Sequence, residues 1–288
     1  MALKCLLVSF SIKGQDYSLR VADSLFRNNH YEIAATAYER VYFFSKNNNE
    51  RTFALLARAT CFKNLGRYYE AYNSLARVSH FELDDSLKCV ANYQLALNLY
   101  LANYFSDAEK YCARNYSIPI NSIEYKNSIL LHGFIYNELN NYKYAAQKFN
   151  EYTALTNLSL KEKDSLSTFV DTYYRAKNLP KLKSLKKARR LSKVLPGAGL
   201  FYVGKPGKAL ANISFQLFAL GYTGANVYFS NYVTAASAGL FLMRSFYTGG
   251  INQLNEVVPK VNYTRSRKFN DTFKNTYTNQ LIHYGAFN

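Results

Sequence analysis

An all-α chain is predicted: a solenoid of helical hairpins, then a basic amphipathic helix and an apolar helical hairpin. Three observations predict it. The pattern Tyr/Phe-x-x-Ala recurs as Tyr31/Ala34, Tyr68/Ala71, Phe105/Ala108 and Tyr142/Ala145, with the alanines 37 residues apart. Seven lysines and arginines between Lys181 and Lys193 come without an acidic residue. From Ala209 to Met243 the chain carries no charged side chain.

At 288 residues and 49% hydrophobic, the chain has material for one or two packed domains and is not a disordered tail. A formal charge of +17 directs attention to polyanionic surfaces, nucleic acid or anionic lipid. The 27 Tyr and 20 Phe, with abundant Asn and Lys, reflect an A+T-rich coding composition rather than a base-stacking platform. Cys5, Cys61, Cys89 and Cys112 form no CxxC pair and lie far from any histidine cluster, so no zinc site is expected.

Residues 1–14 read as a short signal peptide: Lys4, an apolar run from Cys5 to Ile12, and small residues at Ser9, Ser11 and Gly14. The competing reading is a frayed cytoplasmic N-terminus. Cleavage after Gly14 would leave three cysteines, an odd number that suits thiols packed in a core.

Residues 15–158 hold four repeats. Ala22, Ala59, Ala96 and Gly133 form a small column, Leu25, Phe62, Leu99 and Tyr136 a bulky one, and Tyr38, Leu75, Cys112 and Phe149 a mostly apolar one. Asn29, Gly66, Asn103 and Asn140 tolerate a left-handed turn between the helices of each unit. Residues 159–180 are a capping helix and linker; the helix, Ser165 to Asn178, keeps the register through Val170 and Tyr173 but has no partner alanine.

The motifs Ala59-x-x-Phe62-x-x-Leu65-Gly66-x-Tyr68-x-x-Ala71 and Gly133-x-x-Tyr136-x-x-Leu139-Asn140-x-Tyr142-x-x-Ala145 resemble the tetratricopeptide repeat. The period of 37 exceeds the roughly 34 usual there, and Trp and the inter-repeat Pro are lacking. The resemblance implies a concave groove that binds an extended segment or helix of a protein partner. Carried over position by position, its lining would be Phe26 and Arg27, then Thr60, Lys63 and Asn64, then Tyr93, Leu97 and Tyr100, then Phe134 and Asn137. The Lys/Asn carboxylate clamp of some members is unmatched, because Leu19 and Asp23 stand in its place.

Residues 181–288 read as a basic, membrane-associated hairpin module. Lys181, Lys183, Lys186, Lys187, Arg189, Arg190 and Lys193 are interleaved with Leu182, Leu185, Ala188, Leu191 and Leu195 at nearly helical spacing, the pattern of a helix lying on anionic lipid. A solvated basic linker is the alternative. Nucleic acid is not expected as a partner, since no recognised nucleic-acid module surrounds these bases. In the uncharged stretch a polar break at Ser230 and Asn231 makes two arms, one long enough to span a bilayer and one shorter. Gly221, Gly224, Ala225, Ala235, Ala236, Ala238 and Gly239 would let the arms approach. A buried soluble hairpin competes, given Asn212, Gln216, Asn226 and Asn231. The tail, Lys260 to Asn288, reads as a second surface-lying helix with Phe269, Phe273 and Tyr277 in line.

The motif Pro196-Gly197-x-Gly199-x-x-Tyr202-x-Gly204, followed by the hairpin and then Phe246-Tyr247-x-Gly249-Gly250, resembles a small membrane module found after tetratricopeptide repeats in bacterial envelope proteins, notably of the Bacteroidetes type. That resemblance implies a location and no defined activity.

No catalytic residue, metal site or cofactor is expected. His30, His80, His132 and His283 are isolated, and Gly199-x-x-x-x-Gly204-Lys205 fails as a phosphate loop because Pro206 stands where Ser or Thr should hold magnesium. The expected function is a non-enzymatic adaptor or scaffold with a protein partner in the groove and anionic lipid at the module. The alternative is an integral-membrane assembly or transport component whose hairpin is the active part. Basic flanks on both sides of the hairpin favour the cytoplasmic face, while a cleaved signal favours periplasmic repeats; a hairpin dipping into one leaflet from the periplasmic side reconciles them.

Overall fold

The computed structural model describes residues 19–79, 83–117 and 123–286, and these are helices and connections without a strand. The signal-peptide reading of residues 1–14 lies outside the described residues. Each repeat is a helical hairpin: α1 (Leu19–Arg27) with α2 (Tyr31–Phe44), α3 (Asn48–Asn64) with α4 (Tyr68–Leu75), α5 (Asp85–Leu101) with α6 (Phe105–Arg114), and α7 (Ile123–Glu138) with α8 (Tyr142–Leu155). Helix α9 (Leu160–Tyr173) packs on α8. Consecutive helices pack on each other, and α5 also contacts α3 and α7, so the first helices stack into a solenoid-like row.

The turns repeat as closely as the helices. Asn29, Gly66, Asn103 and Asn140 all adopt positive φ, between 58° and 72°. After each, a backbone N–H reaches back five residues to the bulky column: His30 to Leu25, Arg67 to Phe62, Tyr104 to Leu99 and Asn141 to Tyr136, at 2.8–3.0 Å. This bond satisfies a carbonyl that the helix end would otherwise leave unpaired. The second helix then presents Ala34, Ala71, Ala108 and Ala145, all fully buried, to the equally buried small column of the first.

Polar side chains set the remaining helix boundaries. Asn47 and Asp84 cap α3 and α5, and Ser159 with Glu162 forms a reciprocal capping box at α9. That box explains why α9 begins at Leu160, five residues before the expected start of the capping helix. Its buried face is Leu166 and Val170, the latter on the predicted column. Glu39 on α2 takes both Arg58 (3.0 Å) and Arg77 (2.7 Å), tying the first repeat to the second.

The described residues up to Tyr174, with those from Leu281 onward, form one compact unit, and residues 175–280 form another. The second contains α10 (Leu185–Val194), α11 (Ala198–Tyr202), α12 (Pro206–Tyr228), the single turn α13 (Tyr232–Thr234) leading into a π-helical turn over Ala235–Gly239, and α14 (Leu240–His283) as far as Gln280. Its core is Ala188, Leu200, Val203, Ala209, Leu254, Val257 and Val258.

Two expectations are corrected. The second arm of the hairpin is not a short separate helix, because α14 continues from Leu240 through Pro259 to His283. The tail is therefore the distal half of that helix rather than a surface-lying one, and Phe273 and Tyr277, stacked at 5.3 Å, are buried.

Candidate functional site

The groove positions lie along the first helices α1, α3, α5 and α7. Arg27 and Asn64 are exposed, and Lys63 is half-buried, with burial holding its ammonium pKa below the usual value. Thr60 is half-buried and donates its hydroxyl to the Leu56 carbonyl at 3.0 Å. The aromatic candidates pack inside their own repeats: Phe26 meets Tyr31 edge-on at 5.4 Å, Tyr100 meets Phe105 at 5.6 Å and Phe134 meets Phe149 at 5.1 Å. Tyr93 and Leu97 are half-buried against the core around Ala96. Asn137 is corrected outright: it is 1% exposed, and its Oδ1 accepts from the Tyr174 hydroxyl at 2.9 Å. Asp23, at the unmatched clamp position, accepts from Tyr38 at 2.6 Å.

The basic segment is also more structured than expected. Lys181 and Lys183 precede α10 instead of lying on it. Asn262 of α14 clasps the Lys183 backbone, accepting its N–H at 2.7 Å and donating to its carbonyl at 2.9 Å, while Arg265 donates to the Lys181 carbonyl at 2.7 Å. Both Lys183 and Lys187 place their ammonium groups over the Tyr202 ring, 4.5 and 5.2 Å from its centre. Arg189 is bound to Asn255 Oδ1. All five α10 cations are exposed, and Lys186, Arg190 and Lys193 make no such contact among the described residues. The buried face of α10 is Ala188 and Ser192, covered by its own module, so the expected leucine stripe is not one face. An outer apolar edge remains at Leu191, Val194 and Leu195.

The glycine motif is the joint of the module. A Cβ at Gly199 would stand 2.2 Å from the Ala188 carbonyl oxygen, and the Gly199 N–H donates to Ser192 Oγ at 3.0 Å, so α10 and α11 touch backbone to backbone. Gly197, at φ +82°, brings the chain within 2.9 Å of the Ala209 carbonyl by the same measure. The Tyr202 hydroxyl accepts from the Ser184 N–H at 3.3 Å. Further along, a Cβ at Gly250 would strike Asn212, and Phe246 stacks on Phe215 at 5.2 Å.

Beyond this joint the hairpin turns many of its large apolar residues outward, with Ser214, Ser230, Asn231 and Thr234 exposed among them. Leu217, Phe218, Val227, Tyr228, Phe229, Val233, Leu240 and Phe241 are all exposed, Val233 to 82%. Gln216 is buried. Thr223, Asn226 and Ser237 donate to carbonyls one turn back on their own helices, at 2.7–2.9 Å. The arms meet at Gly239, where a Cβ would be 2.5 Å from Thr223 Oγ1, with Ala235 and Ala219 buried nearby in sequence. Gly221 and Gly224 have nothing within 4 Å of a built Cβ, which removes them from the expected contact.

No helix among the described residues is long and apolar enough to cross a membrane. The expected spanning arm thus fails: α12 has 23 residues, but Asn212, Ser214, Gln216, Thr223 and Asn226 dilute its apolar character. No protein family, curated protein or solved structure matches the chain.

Proposed function

We propose that this protein is a non-enzymatic scaffold, a tetratricopeptide-like solenoid that holds a protein partner and is tethered to a bacterial envelope membrane by the module after it. The observation that carries the reading is the inverted hairpin. Exposed large apolar side chains from Leu210 to Phe241 would each lose favourable burial free energy in water, about 25 cal/mol for every Å² left wet. A soluble hairpin would bury that face and expose Gln216. Thr223, Asn226 and Ser237 bond to their own helix backbone, as an apolar solvent requires, while the buried Gln216 Nε2 has no such partner among the described residues.

Charge placement agrees with this. The uncharged hairpin is bounded by Lys205 and Lys208 on one arm and Arg244 on the other, so an anionic interface fits at its base. Shallow insertion into one leaflet is the form consistent with helices not apolar enough to cross. On the solenoid, the surface cations and amides Arg27, Lys63 and Asn64 are the groove positions left for a partner.

Flotation of the full chain with vesicles tests the reading. It should stay with them in high salt and in carbonate and need detergent for release. A full chain that is monodisperse without detergent and floats with no vesicle makes the hairpin a soluble or self-associating element and overturns the proposal.

A further inference from the structure

We infer that a groove between the start of α12 and the middle of α14 binds the phosphodiester headgroup of an anionic glycerophospholipid. The inference rests on the membrane reading above and adds to it a defined ligand site. The groove measures about 380 Å³, and four cations line it: Lys205, Lys208, Lys260 and Arg265. Of the four, only Lys260 forms an ion pair within 4 Å among the described residues, with Glu256 at 3.7 Å, and Glu256 also lines an adjoining depression with Lys208. Arg265 is anchored by its bond to the Lys181 carbonyl, and its other N–H groups make no bond among the described residues.

Four like charges about one small groove repel one another unless an anion joins them. The arrangement is unfavourable in a second way, because Lys205 and Lys208 stand at the N-terminus of a 23-residue helix whose first turn has no acidic residue. A helix start favours negative charge, so two lysines there oppose its dipole. A bound phosphodiester relieves both. The groove differs from a nucleotide loop in that no strand precedes Gly199 among the described residues and Pro206 supplies neither an N–H nor a hydroxyl.

The floor selects lipid over a free phosphate ester. Val203, Val257 and Val261 line the groove beside the cations, and the uncharged hairpin begins at Ala209, directly after Lys208. A phosphate held by Lys205 and Lys208 therefore has an apolar path for acyl chains along α12 and cationic donors for its oxygens.

The test uses the full chain and vesicles of phosphatidylcholine, alone or mixed with phosphatidylglycerol, at about 0.5 M salt, where diffuse attraction is screened within a few ångströms. The parent should prefer the mixed vesicles several-fold. Lys205→Gln with Lys208→Gln should abolish that preference without loss of helicity, and Lys205→Arg with Lys208→Arg should keep it. Lys143→Gln with Lys161→Gln, which removes equal charge from exposed positions of the solenoid, should also keep it. Equal losses from the two Gln pairs would show diffuse charge and overturn the site. Equal binding of the parent to both vesicles overturns the site but leaves the anchor standing, whereas flotation with neither overturns both. If millimolar glycerol phosphate erases the preference, the groove serves a soluble phosphate ester and the lipid assignment falls.

Discussion

Gly133 lies flat against the ring of Phe149: a Cβ on Gly133 would be 2.8 Å from Phe149 Cε1. The other repeats pair Ala with Tyr38, Leu75 or Cys112 in the same two columns, and only the fourth sets glycine there. Gly133→Ala should destabilise the solenoid by about 1–3 kcal/mol through overpacking. Phe149→Leu in the same chain should recover part of the loss, a coupling that thermal melts of the four variants would measure. Additive losses would mean the two residues do not share this contact.

His132 is buried, stacked between Tyr116 and Tyr136, with its Nδ1 bonded to the Tyr116 hydroxyl. Burial first, and Lys148 second, hold its pKa down at about 4, against 6.5 for a free imidazole. Below about pH 6.5 the unfolded chain takes up a proton that the folded one refuses. Stability contributed by the neutral ring is therefore complete above that pH and falls by up to about 1.4 kcal/mol per pH unit on the way down to pH 4. Denaturant midpoints across this window should flatten in His132→Gln, and an unchanged slope would remove His132 as the cause.

Cys61 and Cys112 are buried, and desolvation pushes both thiols up, Cys61 to about 11. In the folded chain neither should react with a thiol reagent at pH 8, while both should react in denaturant. Rapid native labelling at either position would mean that its repeat opens.

The repeat register was legible because it is written in side-chain volume. Small, bulky and turn residues each hold one period, and the same residues fix helix contacts and positive φ at Asn29, Gly66, Asn103 and Asn140. Contacts made across long sequence separations left no such trace. Asn137 resembles its groove-facing equivalents until Tyr174, one period later, covers it. Lys183 and Arg189 look like free cations until Tyr202 lies under the first ammonium and Asn255, far along the chain, accepts from the second side chain. The polar change after Met243 reads as a boundary, although a helix needs only a continuous backbone ladder, and α14 crosses it.

Asn137 yields a test that separates structure from recognition. Tyr174→Phe leaves its buried Oδ1 without that donor and should cost about 1 kcal/mol or more of solenoid stability. Lys63→Ala with Asn64→Ala, at half-buried and exposed positions, should change stability little and weaken partner capture. The opposite pattern, an inert surface pair and a Tyr174 variant that folds normally but loses the partner, would move the binding surface to the end of the solenoid.

The hairpin's inversion predicts opposite responses from its inner and outer residues. Gln216 is buried, and its Nε2 has no hydrogen-bond partner among the described residues, so Gln216→Leu replaces an unsatisfied donor with a packed side chain. It should leave stability in detergent unchanged or raised. Phe218 is 62% exposed and Val233 82%, so Phe218→Asn with Val233→Asn removes little packing from the fold. That pair should keep the melting behaviour in detergent, reduce aggregation without detergent, and lower retention on vesicles after a carbonate wash. Polar substitution on the outer face that unfolds the hairpin in detergent would mean those side chains are core, and would reverse the assignment of inside and outside. Gly199→Ala supplies the comparison for real structural loss, because its Cβ would meet the Ala188 carbonyl and a backbone atom cannot swing aside. It should loosen the joint between α10 and α11 and expose residues 175–280 to protease, whereas Gly221→Ala, with open space around it, should not.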